Sequence, residues 1–215
     1  MKNLYSLLIG LSLCLLFANC AGDANSYAII ETEYGNMKVL LYNETPKHKE
    51  NFIKLANEGF YDDLLFHRVI DGFMLQGGDP ESRNAPPGTM LGAGGPGYLI
   101  DAEIGSPHLK GVLAAARTGA GNPDKKSSGS QFYIVEGAPV TEVQITALEN
   151  FKKIKYSDAQ RALYQEIGGS PDLDQEYTVF GEVVEGLDII DKISVVPVDA
   201  KDRPIKDVKM KVRMQ

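Results

Sequence analysis

The chain has 215 residues, 43% apolar and 24% charged, which is ordinary globular usage at a length that can bury a sizeable core. These proportions exclude a disordered chain, a collagen-like chain and a multi-span membrane protein. Twenty-two basic against twenty-nine acidic side chains give a net charge of −7, and no basic run supplies a footprint for nucleic acid.

Both cysteines, Cys14 and Cys20, fall in the N-terminal segment. Lys2 precedes an apolar stretch from Leu4 to Phe17, and polar residues follow at once (Asn19, Asp23, Asn25, Ser26). This is the pattern of a signal peptide, its apolar stretch shorter than a membrane span of ~20 residues. Leu16-Phe17-Ala18-Asn19-Cys20 resembles the bacterial lipobox, in which cleavage precedes a cysteine that then carries lipid; Phe17 and Asn19 depart from the usual residues there. Cleavage before Cys20 leaves one cysteine, useless for an intramolecular disulfide, and a thioether-linked lipid gives it a purpose. Residues 1–19 are therefore expected to be a lipoprotein signal peptide, 20–26 a lipidated tether and 27–215 the folded domain. The expected location is a bacterial cell envelope, anchored through Cys20 and facing the periplasm. The membrane is contacted only through that lipid.

Ala28–Glu33 and Met37–Tyr42 read as strands of a hairpin turning at Tyr34-Gly35-Asn36. Thr45 caps and Pro46 opens a helix with an apolar stripe of Phe52, Ile53, Leu55 and Ala56, ended by Gly59. Leu64–Ile70 and Phe73–Gln76 read as strands joined by Asp71-Gly72. Ser82–Gly97 is a loop, followed by strands near Tyr98–Ile100, Gly111–Ala116, Gln131–Val135 and Tyr177–Val184. Between the last two, Thr141–Lys155 places Gln144, Ala147, Leu148, Phe151 and Ile154 at helical spacing. Ser157-x-x-Gln160 is a capping box for a second helix through Leu163, Tyr164 and Ile167, stopped by Gly168-Gly169. This helical hairpin, about 140–170, reads as an insertion and more simply as a decoration than a binding device. Glu185–Ile193 is a late helix and Lys206–Met214 a closing strand. Many short strands with few helices favour a barrel or sandwich.

Several motifs lead nowhere. Gly92–Gly97 is followed by Tyr98-Leu99-Ile100, not by the helix that a dinucleotide loop requires. His48, His67 and His108 share no metal-ligand spacing, and Ser128-Gly129-Ser130 lacks the flanks of a nucleophile elbow, so neither metal nor cofactor is expected.

Phe66-His67-Arg68-Val69-Ile70-Asp71-Gly72-Phe73-Met74-Leu75-Gln76-Gly77-Gly78-Asp79 gathers an arginine, a phenylalanine, a methionine and a glutamine around one tight turn. Strict alternation puts Phe66, Arg68 and Ile70 on one face, and His67 and Val69 on the other. The stretch resembles the central signature of the cyclophilins, peptidyl-prolyl cis–trans isomerases built on an eight-stranded antiparallel barrel capped by two helices. Gly111–Arg117, Ser128–Ile134, Leu173-Asp174 and Tyr177–Val183 resemble the family's later strands and loops in order and approximate spacing. The resemblance implies a mainly β fold, a closed barrel carrying the helical insertion. It implies that Arg68 is catalytic, with Phe73 and Gln76 beside it. Met74, Tyr133 and Leu173, with Phe73, would wall a proline pocket, and Gln131 would hold substrate backbone with Gln76. Ala116 and Arg117 would form the edge along which the peptide lies, with Tyr177 beside the pocket. Tyr133 stands where eukaryotic members have phenylalanine, adding a hydroxyl to the pocket. Tyr177 replaces a histidine. Asp172 falls where many eukaryotic members have tryptophan, which argues against strong cyclosporin binding.

The implied chemistry needs no nucleophile. Rotation about X–Pro meets a barrier of ~18–20 kcal/mol, and a thousand turnovers per second requires removing ~7 kcal/mol. What is needed is a site that fits the twisted amide better than either planar form, with a guanidinium aimed where the nitrogen regains its lone pair. The expected partners are proline-containing polypeptides, and the expected state is a monomer. A non-catalytic peptide-binding or chaperone module on the same barrel is the alternative.

Overall fold

The computed structural model describes residues 25–215. The expected signal peptide, Cys20 and the tether up to residue 24 lie outside these residues. The described chain opens with β1 (Ser26–Thr32) and β2 (Gly35–Leu41), the expected hairpin. Ser26, expected in the tether, is already paired with Leu41. Next come α1 (Pro46–Asn57), β3 (Leu64–Ile70) and β4 (Met74–Gly77). Past a glycine-rich loop lie β5 (Leu99–Ile100), β6 (Val112–Ala115), β7 (Ser127–Ser128) and β8 (Phe132–Val135). The insertion supplies α2 (Glu142–Lys152) and α3 (Asp158–Glu166), and the chain closes with β9 (Val179–Glu185), α4 (Leu187–Ser194) and β10 (Lys209–Met214). Eight strands close a barrel in the order β1-β10-β3-β4-β8-β6-β9-β2, every pair antiparallel, while β5 and β7 form a separate small sheet. The mainly β barrel with an inserted helical hairpin is thus present.

The barrel wall is buried on both sides along part of its circumference. Leu75, Leu113, Phe132 and Ile134 face inward, joining Ile30, Met37, Val39 and Phe66 in the core. Their neighbours Met74, Val112, Ala114, Tyr133 and Val135 face outward into a second apolar cluster with Phe73, Leu173 and Tyr177. Two-sided burial explains why β6 and β8 read as unbroken apolar runs instead of alternating. Phe52, Leu55 and Ala56 of α1 and Ile189, Ile190 and Ile193 of α4 pack into the same core.

Strict alternation fails in β3. Phe66 pairs with Gly77 and Arg68 with Gln76, so His67 is an extra residue, a β-bulge. Upstream of the bulge Leu64 and Phe66 point into the barrel; downstream Val69 does. Phe66 and Arg68 therefore lie on opposite faces, contrary to the alternation expected from sequence. Without the bulge, the continuing parity would place the Arg68 guanidinium in the apolar core.

Other differences have local causes. Thr45 does not cap α1: its hydroxyl donates to the Tyr42 carbonyl, and the Glu103 carboxylate accepts from the N–H groups of Lys47 and His48 at 3.2 and 3.1 Å. A cap from so distant a residue leaves no local signature. Phe73 belongs to the β3–β4 turn, Tyr177 precedes β9, Glu185 pairs within β9 before α4 begins, and Lys206 lies ahead of β10. Both insertion helices start on capping boxes, Thr141 with Gln144 and Ser157 with Gln160. The expected stripe of α2 is corrected, however. Ile145 and Glu149 are the buried residues, whereas Phe151 is 83% exposed. Burial of Glu149 is sustained by the Tyr156 N–H at 2.8 Å, which with Lys155 and Arg161 holds its carboxyl below the usual range.

Burial lowers the pKa of both His48 and His67, in His48 despite the opposing pull of Glu103. The unfolded chain then binds more protons than the folded one below about pH 6.5, so stability rises with pH through that window. Thermal unfolding followed from pH 7.5 to 5 should show a falling midpoint, with a shallower slope in His48→Gln. A midpoint independent of pH across this range would contradict the burial of these imidazoles.

Candidate active site

The bulge places Arg68 in a row of directly opposed outward residues: Arg68 faces Gln76, Gln76 faces Tyr133, and Tyr133 faces Ala114 across β3, β4, β8 and β6. Directly opposed side chains in a ladder stand about 4.5–5.5 Å apart at Cβ, so register alone gathers these groups. Arg68, Phe73, Met74, Gln76, Ala116, Arg117, Tyr133, Leu173 and Tyr177 line one cavity of about 130 Å³. That is every catalytic and substrate-binding residue expected from sequence except Gln131, which lies in an adjoining groove of about 640 Å³ that also touches Gln76, Ala116 and Arg117. An apolar cavity of about 150 Å³ admits benzene, so the smaller hollow suits one five-membered ring and the groove can take the chain on one side of it.

The walls are held by identifiable bonds. Phe73 sits in a turn where Gly72 takes φ +69° and the Phe73 N–H donates to the Ile70 carbonyl at 3.1 Å. The Phe73 carbonyl accepts from the N–H groups of Glu136 and Gly137, while the Glu136 carboxylate accepts the Gly72 N–H at 2.7 Å. Leu173 closes a short 3₁₀ turn, its N–H donating to the Ser170 carbonyl. The Arg117 guanidinium is committed within the protein. It donates to the Glu176 carbonyl at 2.8 Å and carboxylate at 2.9 Å and lies 4.6 Å from the centre of the Tyr177 ring. It braces Tyr177 as a wall. Tyr133 meets Tyr177 edge-on at 5.8 Å. Its hydroxyl is not offered to the pocket as expected but lies 3.0 Å from Nε2 of the buried His108, since a buried phenol needs a partner.

The polar side is arranged differently. Gln76 Nε2 donates to Gln131 Oε1 at 3.1 Å, and Gln131 Nε2 donates to the Gly94 carbonyl at 2.7 Å. Gly94 belongs to the glycine-rich loop that lacks the following helix of a nucleotide motif. Buried Asp79 shapes that loop by accepting from the N–H of Gly92 at 2.5 Å. The loop walls the groove, a role its sequence did not disclose. Arg68 is partly exposed, and its Nε lies 3.4 Å from an Asp202 carboxylate oxygen. Asp202 is fixed there because its carbonyl accepts the Val69 N–H at 2.8 Å. The two terminal guanidinium nitrogens make no hydrogen bond among the described residues, so they remain available at the cavity. Asp202, Asp79 and Glu136 were missed from sequence because their partners are distant in the chain.

The family model described as cyclophilin type peptidyl-prolyl cis-trans isomerase/CLD matches residues 27–213. The chain belongs to this family. A Staphylococcus aureus (strain USA300) protein named as a peptidyl-prolyl cis-trans isomerase is 33% identical over 181 residues, covering 84% of this chain and 86% of that protein. A Rhizopus delemar peptidyl-prolyl cis-trans isomerase-like 2 is 38% identical over 86% of this chain. A Streptococcus pyogenes bifunctional phosphatase/peptidyl-prolyl cis-trans isomerase is 35% identical over 83% of it. This cyclophilin spans only 28% and 36% of those two relatives. A crystal structure of a Cryptosporidium parvum cyclophilin type isomerase superposes with TM-score 0.63 and 26% identity, over 89% of this chain and 98% of that one. A second structure of that protein was determined in the presence of the dipeptide Ala-Pro, with TM-score 0.62.

If Glu136 sets the turn that presents Phe73, Glu136→Ala should destabilise the cyclophilin by about 1.5–3 kcal/mol, the range for a hydrogen bond to a charged acceptor. It should also weaken binding of proline peptides. Urea unfolding and peptide titration of the same variant check both, and unchanged peptide binding would show that the turn holds Phe73 without it.

Proposed function

We propose that this cyclophilin turns over X–Pro bonds in exported polypeptides, with Arg68 stabilising the twisted amide and Phe73, Met74, Leu173 and Tyr133 gripping the ring. The observation that carries this reading is a ring-sized hollow in which the side chains of Phe73, Met74, Leu173 and Tyr133 stand beside the uncommitted end of a guanidinium and the Gln76 side chain. The Cryptosporidium relative examined with Ala-Pro supports the choice of ligand.

The roles divide by what changes during rotation. Removing three ring methylenes from water contributes ~2.4 kcal/mol, at ~0.8 kcal/mol each, but does so for planar and twisted forms alike. The hollow therefore binds without accelerating. In the twisted state the imide nitrogen is no longer conjugated and its lone pair can accept a hydrogen bond. A donor from Arg68 strengthens at that moment, and a preorganised donor of this kind is worth about 2.7–4 kcal/mol. Gln76 and Gln131 hold the flanking backbone, so that one side of the bond turns against the other. The balance of ~7 kcal/mol falls to this anchoring and to exclusion of water.

Arg68→Lys keeps the charge and loses the planar fork. It should lower kcat by about 100-fold or more with KM and the melting temperature little changed, while Arg68→Ala should do at least as much. Proline-peptide isomerisation followed by NMR exchange measures this directly. Equal rates for wild type and both variants would favour a binding module instead.

The exported context rests on the signal-like N-terminus and Cys20. Mass spectrometry of the mature protein from membranes should find an N-terminal Cys20 carrying lipid. An unmodified Cys20, or retention of residues 1–19, would remove the anchor.

A further inference from the structure

Resting on the reading of the small cavity as a proline pocket, we propose that the inserted helical hairpin is a positioning element of that pocket. It holds the Tyr133 wall through a buried chain of hydrogen bonds running from Tyr156 and Tyr164 to Asp174 and then His108. The insertion thereby has a task beyond filling a connection between β8 and β9.

Every link is short and enclosed. One carboxylate oxygen of buried Asp174 accepts the hydroxyls of Tyr156 at 2.8 Å and Tyr164 at 2.6 Å. The other accepts both the backbone N–H of His108 at 2.7 Å and its Nδ1–H at 2.8 Å. With Nδ1 donating to Asp174, the opposite ring nitrogen Nε2 is left to hydrogen-bond the Tyr133 hydroxyl at 3.0 Å. Burial raises the pKa of all three tyrosines, so each remains a donor at working pH. The His108 ring also lies nearly parallel to the Tyr133 ring, at 15°.

The backbone of the insertion clasps the same histidine. The Ser170 N–H donates to the His108 carbonyl at 2.8 Å, and the Lys110 N–H donates to the Gly168 carbonyl at 3.1 Å. Gly169 passes so close that a Cβ there would stand 2.3 Å from the His108 carbonyl oxygen. From the end of α2, Lys152 Nζ reaches the carbonyls of Asp172 and Asp174, which flank Leu173. Two walls of the pocket, Tyr133 and Leu173, are thus tied to one insertion. Tyr156 and Tyr164 themselves are anchored in a small apolar cluster with Val140 and Ile145.

A wall that grips the ring equally in all rotational states should act on affinity and not on the rate of the bound complex. The test is a double-mutant cycle read by NMR titration with an Ala-Pro-containing tetrapeptide, with kcat measured on the same variants. Tyr156→Phe/Tyr164→Phe should raise the peptide Kd about tenfold and leave kcat within about twofold. Placed on Tyr133→Phe, which lacks the hydroxyl being held, the same pair should change Kd by less than about twofold. An equal loss in both backgrounds, or no loss in the first, overturns the proposal while leaving the pocket reading intact. A wild-type protein that binds no proline peptide overturns both. Thermal unfolding establishes that the variants fold; if the double variant does not, Tyr156→Phe alone should raise Kd about threefold and lose that effect on Tyr133→Phe.

Discussion

An arginine on a barrel strand has two faces available to it, and only one is compatible with a folded protein. In β3 the choice is made by His67, the extra residue opposite the Phe66–Arg68 step. It lets Leu64 and Phe66 fill the barrel and then reverses parity, so that Val69 continues the core while Arg68 emerges outside. A buried, unpaired guanidinium would be prohibitively costly. Outside, the same group meets Asp202 on one side and the ring-sized hollow on the other. Core packing and placement of the Arg68 guanidinium at the cavity are therefore one constraint.

The remaining geometry follows from a wall that is apolar on both sides. Because the inner residues of β4, β6 and β8 already provide the core, their outer residues are free to build a second cluster. That cluster, open on one side, is the pocket. Turns and loops complete it: Phe73 from the β3–β4 turn, Leu173 from the 3₁₀ turn, and Gln131 steadied by the glycine-rich loop. Rigid strands set the row of opposed side chains, and short hydrogen-bonded turns add Phe73 and Leu173 to the cavity lining.

Much of this was legible in the chain. The β1–β2 hairpin, the Asp71-Gly72 turn and both capping boxes carry local signatures whose partners lie within a few residues. The outer-face residues could be gathered only through family resemblance, because alternation pointed Arg68 along with Phe66 and no local feature announces the bulge. Helical spacing fits more than one stripe of α2, so the run containing Phe151 does not by itself say which stripe is buried. Glu149 took the buried position because Tyr156, Lys155 and Arg161 satisfy it, which no hydrophobic pattern reveals. The Glu103 cap of α1 and the Asp174–His108–Tyr133 chain join residues far apart in sequence and become visible only once the barrel closes.

The most direct measurement is a crystal structure of residues 25–215 with an Ala-Pro peptide. The pyrrolidine ring should lie between Phe73, Met74, Leu173 and Tyr133, with a terminal nitrogen of Arg68 within hydrogen-bond reach of the prolyl amide. A ring seated elsewhere, or an Arg68 guanidinium turned wholly onto Asp202 and away from the bound amide, would contradict the claim that the bulge in β3 aims this group at the rotating bond.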